Sequence, residues 1–173
     1  MSDTSETLRS SRGASYLRSL PWRSALLAGI GACITIAVLA EAGAATSLPL
    51  IVAPFGASCA LVFGAPASPL AHPRNVIGGH LISAALGLLA AMLIPYPPLA
   101  MAVGVGLAIA GMLLTGTLHP PAGANPIVVV LSAAPWSFLL MPILVGTLAI
   151  VALGTIYHRL ITGHPYVVPP RKS

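Results

Sequence analysis

Between Arg23 and Arg159 the chain carries only two charged residues, Glu41 and Arg74. A soluble domain would hold about a quarter charged residues over such a length. Of the 173 residues, 57% are hydrophobic and 6% charged, with a mean hydropathy of +0.94. This pattern predicts an all-α polytopic membrane protein, because a spanning segment in lipid has to satisfy its own backbone polar groups and a helix does so internally. The length allows one compact membrane domain. Seventeen glycines and seventeen prolines fit close helix packing and broken helices, both residues being commoner in membrane spans than in soluble helices.

The placement of charge excludes several functions. Arg9, Arg12, Arg18 and Arg23 precede the first apolar run, and Arg159, Arg171 and Lys172 follow the last. That is the positive-inside pattern at both ends, so both termini are expected in the cytoplasm, with the protein in the cell membrane (in a bacterium, the inner membrane). The basic residues form no nucleic-acid face. The acids are Asp3, Glu6 and Glu41, so no carboxylate follows Glu41. Paired-carboxylate hydrolases, the Ser-His-Asp triad and carboxylate-rich Mg²⁺ or Ca²⁺ sites are excluded from that region. With no nucleophile–base pair evident in the sequence, no enzyme is expected. A membrane cavity with donors and no carboxylates suits an anion. Cys33 and Cys59 form no CxxC pair and read as small packed hydrophobes. Five scattered histidines without a second ligand type make no metal site, and no cofactor is implied.

Hydropathy divides the chain into a flexible cytoplasmic tail over 1–20, a membrane domain over 21–160 and a short cytoplasmic tail over 161–173. Four long spans are expected at about 24–42, 76–94, 99–118 and 136–157. Leu48 to Gly64 is apolar but short, interrupted at Pro54 and Gly56, where a span normally needs about 20 residues. A second interruption, Thr115-Gly-Thr-Leu-His-Pro-Pro-Ala-Gly-Ala-Asn-Pro126, separates two apolar runs. Its prolines cannot donate backbone hydrogen bonds and push the preceding residues away from helical geometry. Irregular backbone at membrane depth is tolerated only where protein buries it or it lines a watered cavity.

The two interruptions are copies: Pro54-Phe-Gly-Ala-Ser58 matches Pro121-Ala-Gly-Ala-Asn125. The order long, short-broken, long therefore repeats, with halves at about 24–94 and 99–157. Paired interruptions at matching places point to a binding site at the repeat interface. Two topologies satisfy the pattern. Four spans with two re-entrant half-helices is the favoured expectation, because both broken elements are short. Six crossings with inverted halves is the alternative, and it would place Arg74 on the side of the other basic residues.

His119-Pro-Pro-Ala-Gly-Ala-Asn125, Pro54-Phe-Gly-Ala-Ser-Cys59 and Pro73-Arg-Asn-Val-Ile-Gly-Gly-His80 together resemble the HPP family of integral membrane proteins, over about residues 18–160. Members of that family are described as four-span proteins, and its chloroplast and cyanobacterial members as nitrite transporters. The resemblance implies movement of nitrite or a related small anion. Some relatives carry a nucleotide-sensing tandem domain after the membrane unit, and this chain is expected to be the minimal form without it.

The candidate substrate-binding residues follow from the broken elements. Helix N-termini offer free N–H groups and a positive dipole end to anions, and Gly56 and Gly123 would let backbone approach a ligand. Ser58 and Asn125 occupy matching places, where they would either cap their own helices or donate to the anion. Pro54, Pro120 and Pro121 shape the two turns. His119 could donate to the anion, take up a proton or anchor its loop. His80 is an intramembrane ionisable group and so a functional candidate. Arg74 suits an oxyanion at a vestibule, or anchors its helix at the interface. Asn75 is expected to cap that helix, Glu41 to sit at the far interface or pair with Arg74, and His72, His158 and His164 to lie in loops or at the interface. Small-residue helix faces make a homodimer or homotrimer the expected assembly.

Overall fold

The structure, a computed structural model, describes residues 21–163 and Tyr166. The tail expected over 1–20, most of the one expected over 161–173, and His164 lie outside the described residues. Among the described residues six α-helices follow one another: α1 (Trp22–Thr46), α2 (Pro54–Gly64), α3 (Pro73–Leu93), α4 (Pro97–Leu114), α5 (Asn125–Leu131) and α6 (Val145–Tyr157). A 3₁₀ turn, Pro120–Ala124, leads into α5. The last span, Trp136–Thr162, is composite, since the backbone breaks at Met141 and α6 begins only at Val145. Four helical segments are long and apolar enough to cross a membrane, and two shorter apolar helices lie between them.

Proline and glycine set the boundaries. Pro54, Pro73 and Pro97 stand at the first position of α2, α3 and α4, where the missing N–H costs nothing. α4 was expected to continue to Leu118 but stops at Leu114. Gly116 adopts φ +62°, its N–H reaches the Leu113 carbonyl, and the Thr117 N–H reaches that of Met112. This pair of bonds is the Schellman stop, which needs a left-handed residue after the cap. The chain then runs extended from Thr117 to His119 before the 3₁₀ turn.

Contacts show the direction of each short helix. Phe55, at the start of α2, meets Gly146, at the start of α6, whereas Val62 and Phe63, at its end, meet Gly154 and Tyr157. Phe63 also closes on Gly31, in the first half of α1. α2 thus runs parallel to α6 and antiparallel to α1, from one end of the bundle to the other. Similarly, Thr117 lies beside Gly78, Pro126 beside Gly87, and Val130 and Ala134 beside Ala91 and Met92. The segment 115–134 therefore parallels α3 along its whole length. Within the bundle neither short segment turns back to the end it left, which is the arrangement of the six-crossing alternative. α2 has 11 residues, about 16 Å of helix, and irregular chain on either side of it completes the run. The two halves run in opposite senses.

The core is layered around α3, the most buried of the long spans. Gly79 packs against Thr117 and His119, where a methyl group would come within 2.8 Å of the His119 Cβ. Gly87 and Gly104 both close on Pro126. These three contacts bring the irregular chain against α3 and α4.

Candidate functional site

The broken elements meet where α3 passes between them. Ser58 comes from the second turn of α2, His80 from the second turn of α3, His119 from the extended stretch before the 3₁₀ turn, and Asn125 from the first position of α5. All four side chains are fully buried. The Ser58 Oγ lies 2.8 Å from His80 Nε2 and 2.9 Å from His119 Nε2. His119 Nδ1 is 2.8 Å from the Leu70 carbonyl, and His80 Nδ1 is 3.0 Å from Asn125 Nδ2. Asn125 Nδ2 also donates to the His80 carbonyl at 3.1 Å, and the edge of Phe55 covers the His80 ring.

The protons in this chain can be assigned from one end. A carbonyl oxygen only accepts, so neutral His119 carries its proton on Nδ1 and its Nε2 is an acceptor. Ser58 has a single proton; when that proton goes to His119, His80 must donate from Nε2. His80 Nδ1 is then the acceptor, and Asn125 Nδ2 supplies it. The order is Asn125 to His80 to Ser58 to His119 to Leu70, with every donor matched. The ring centroids are 5.2 Å apart, and two charges at that distance repel by on the order of 3 kcal/mol at an effective dielectric of about 20. One proton on the pair therefore opposes a second.

Several expectations change at this geometry. Ser58 and Asn125 do not cap: neither helix has a side-chain N-cap bond, and both side chains turn to the histidines instead. First-turn amides are already occupied, Phe55 and Gly56 by the Val52 and Ala53 carbonyls and Asn125 by that of Ala122. Prolines 54, 120, 121 and 126 have no amide to offer. With α5 only seven residues long, side chains rather than helix N-termini provide the polar groups. Gly56 and Gly123 have ordinary φ, and the side-chain direction of each faces open space, Gly56 being exposed and Gly123 half-buried.

Arg74 is exposed and donates to the Thr115 carbonyl at 2.7 Å. It stands six residues before His80, roughly 9 Å along the helix, and anchors the end of α4. The cap of α3 is His72, whose Nδ1 accepts from the Arg74 amide, while Asn75 ties the Pro69 and Leu118 carbonyls together. His158 is buried rather than interfacial: its Nε2 donates to the Val62 carbonyl at 2.8 Å, and it stacks between Phe63 and Tyr166. Tyr166 donates to the Ala71 carbonyl, next to the Leu70 carbonyl that holds His119. Burial pushes the Tyr166 phenol well above its ordinary range, so it is a fixed donor. Sequence reasoning missed Ser83, which is fully buried and donates to the Ala122 carbonyl at 2.6 Å.

A nucleophile–base pair was not expected, yet Ser58 and His119 are placed as one. The hydroxyl is nevertheless fully buried, held between two rings, and has no free first-turn amides of α2 beside it to stabilise an oxyanion.

Comparison with known proteins gives the lineage. The family model described as HPP, transmembrane region, matches residues 17–167. The chain belongs to the HPP family. Two transmembrane proteins of Dictyostelium discoideum are similar to this HPP domain. One is 37% identical over 122 residues, which is 66% of this chain and 39% of the relative; the other is 38% identical over 109 residues, 58% of this chain and 38% of the relative. The HPP domain thus spans about two fifths of the length of those relatives. No solved structure matches it. Family membership and the four long apolar helices make the protein an integral membrane protein. The motif residues His119, Ser58, His80 and Asn125, scattered over the sequence, are the ones this fold brings together.

Proposed function

We propose that the protein transports a small inorganic anion, with nitrite the leading substrate from the family resemblance, along a path through the junction of the two broken helices. The observation that carries this reading is the Ser58–His80–His119–Asn125 cluster. It is a fully buried group of exchangeable donors, drawn from both halves of an inverted pair, in a domain with no carboxylate after Glu41. Ionisable groups inside a membrane domain are costly and mark transport or proton paths. Arg74, exposed at the end of the bundle nearer this cluster, would draw the anion in.

One feature favours a second reading, a non-transporting structural subunit. Among the described residues no buried side-chain polar atom lacks a partner, so the cluster also serves as a staple between halves. Reconstitution separates the two. Purified protein in liposomes should accumulate nitrite, and His119→Ala and Asn125→Leu should each lower the rate at least tenfold with folding verified. Uptake unaffected by either change would move the path elsewhere. No uptake of nitrite, nitrate, formate or chloride by folded protein would leave the staple.

A further inference from the structure

We propose that Ser58, His80 and His119 form a proton relay, in which one excess proton is handed between the two imidazoles through the Ser58 hydroxyl, and that this couples anion movement to the proton gradient. The coupling rests on the transport reading above; the relay itself does not.

Both rings direct Nε2 at the same oxygen, at 2.8 and 2.9 Å. A hydroxyl donates one proton and accepts at its lone pairs, so it can bond both rings only by giving to one and receiving from the other. The transfer balances as follows. A proton arrives at His80 Nδ1; the Nε2–H bond of His80 breaks as a new O–H bond forms on Ser58; the original Ser58 O–H breaks as an N–H forms at His119 Nε2. No electrons are exchanged, and the positive charge has moved from His80 to His119.

The surroundings accommodate both polarities. The Pro54 carbonyl lies 3.2 Å from Ser58 Oγ, so the hydroxyl keeps an acceptor when His119 Nε2 is protonated and donates to it. Asn125 presents both amide atoms to His80 Nδ1, Nδ2 at 3.0 Å and Oδ1 at 3.3 Å. It can therefore meet that nitrogen whether or not it bears a proton. On the other side the Leu70 carbonyl holds His119 Nδ1–H in either charge state.

Few other charged or titratable groups surround the pair. From α2 it meets Ser58 and Phe55, with the buried Cys59 thiol next to Ser58 in the chain, from the loop after α2 the Leu70 backbone, from α5 Asn125, and from α3 the exposed Arg74, about two turns from His80 and bonded to Thr115. Tyr166 bonds Ala71 and His158 bonds Val62. Glu41 is exposed on α1. No carboxylate pins the proton to either ring.

The experiment joins two readouts on the full-length protein in bilayers. Ring ¹⁵N spectra should show His119 as the Nδ1–H tautomer and His80 as the Nε2–H tautomer at neutral pH. Acidification should add one proton to the pair, in exchange between the rings. In liposomes an inward proton gradient should raise nitrite uptake several-fold, and Ser58→Ala should abolish that acceleration. Ser58→Cys, which keeps a weak donor of similar size, should restore part of it. Two rings that titrate independently, or acceleration unchanged in Ser58→Ala, would overturn the relay. If wild type takes up no anion, the transport reading fails, while the tautomer pattern and shared proton still decide the relay, including when Ser58→Ala does not fold.

Discussion

Ser83 shows how much of the site depends on single hydrogen bonds outside its motifs. It stands three residues beyond His80 on α3 and donates to the Ala122 carbonyl, holding the 3₁₀ turn that delivers Asn125. Ser83→Ala removes one of the two donors to that buried carbonyl, the Asn125 amide being the other, a change that costs about 0.5–1.5 kcal/mol. Chemical denaturation in detergent should show a loss of that size, with Ser83→Thr closer to wild type; equal stability of Ser83→Ala would mean that the prolines alone set the turn. At this scale the sequence was informative where a residue belonged to a repeated motif. Ser58 and Asn125 stood out by their matching places, His119 and His80 as ionisable groups within apolar runs. Their partnership was not legible, because a capping residue and a histidine ligand have the same residue type and differ only in direction. Ser83 had no pattern around it, and one serine in an apolar span gives no sign of what it touches.

Among the elements, the boundary of α4 carries the clearest lesson. The span was expected to run to Leu118, whereas the helix ends at Leu114 because Gly116 is left-handed. The signal was present, a glycine followed by a histidine-proline pair, but apolarity alone outweighed it in placing the span. A side chain at Gly116 would have room, its nearest neighbour being Arg74 Nη2 at 3.6 Å. The cost is therefore conformational. Gly116→Ala should destabilise by about 1–2 kcal/mol, the left-handed penalty for an L-residue, and Gly116→Asn by less, since Asn tolerates that region. Thermal or denaturant melts of the three proteins would check the ranking; equal losses for Ala and Asn would place the cost in packing instead. The break at Met141 in the last span had a visible sign in Pro142, and the helix proper resumes three residues later.

Over the whole molecule, the number of long and short segments was readable from hydropathy, but the path of the short ones was not, since 11 apolar residues fit either a return or part of a traverse. Packing decides it. Loop 65–72, the Thr115–Thr117 turn and the end of the last span gather at one end of the bundle through the Tyr166–Ala71, His158–Val62 and Arg74–Thr115 bonds. The α3–α4 turn, residues 133–136 and a cavity of about 330 Å³ lined by Met92, Pro95, Val130 and Trp136 lie at the other. Arg23, Arg74 and Arg159 thereby fall at one end, as the positive-inside rule asks of the cytoplasmic face. Cysteine labelling tests this directly, after replacement of the exposed native Cys33. Ala67→Cys and Gly163→Cys should react with an impermeant maleimide from the cytoplasmic side, and Ser47→Cys, Tyr96→Cys and Ser132→Cys from the opposite side. Re-entrant short segments would exchange the sides of Ala67 and Tyr96, so those two positions decide the topology. The same result bears on the relay. If the broken helices traverse, α2 enters the Ser58–His80–His119 cluster from one face of the membrane and the chain before α5 enters it from the other. The two rings then sit on parallel segments that enter from the cytoplasmic face, and the Ser58 hydroxyl between them is carried by the segment that enters from the other.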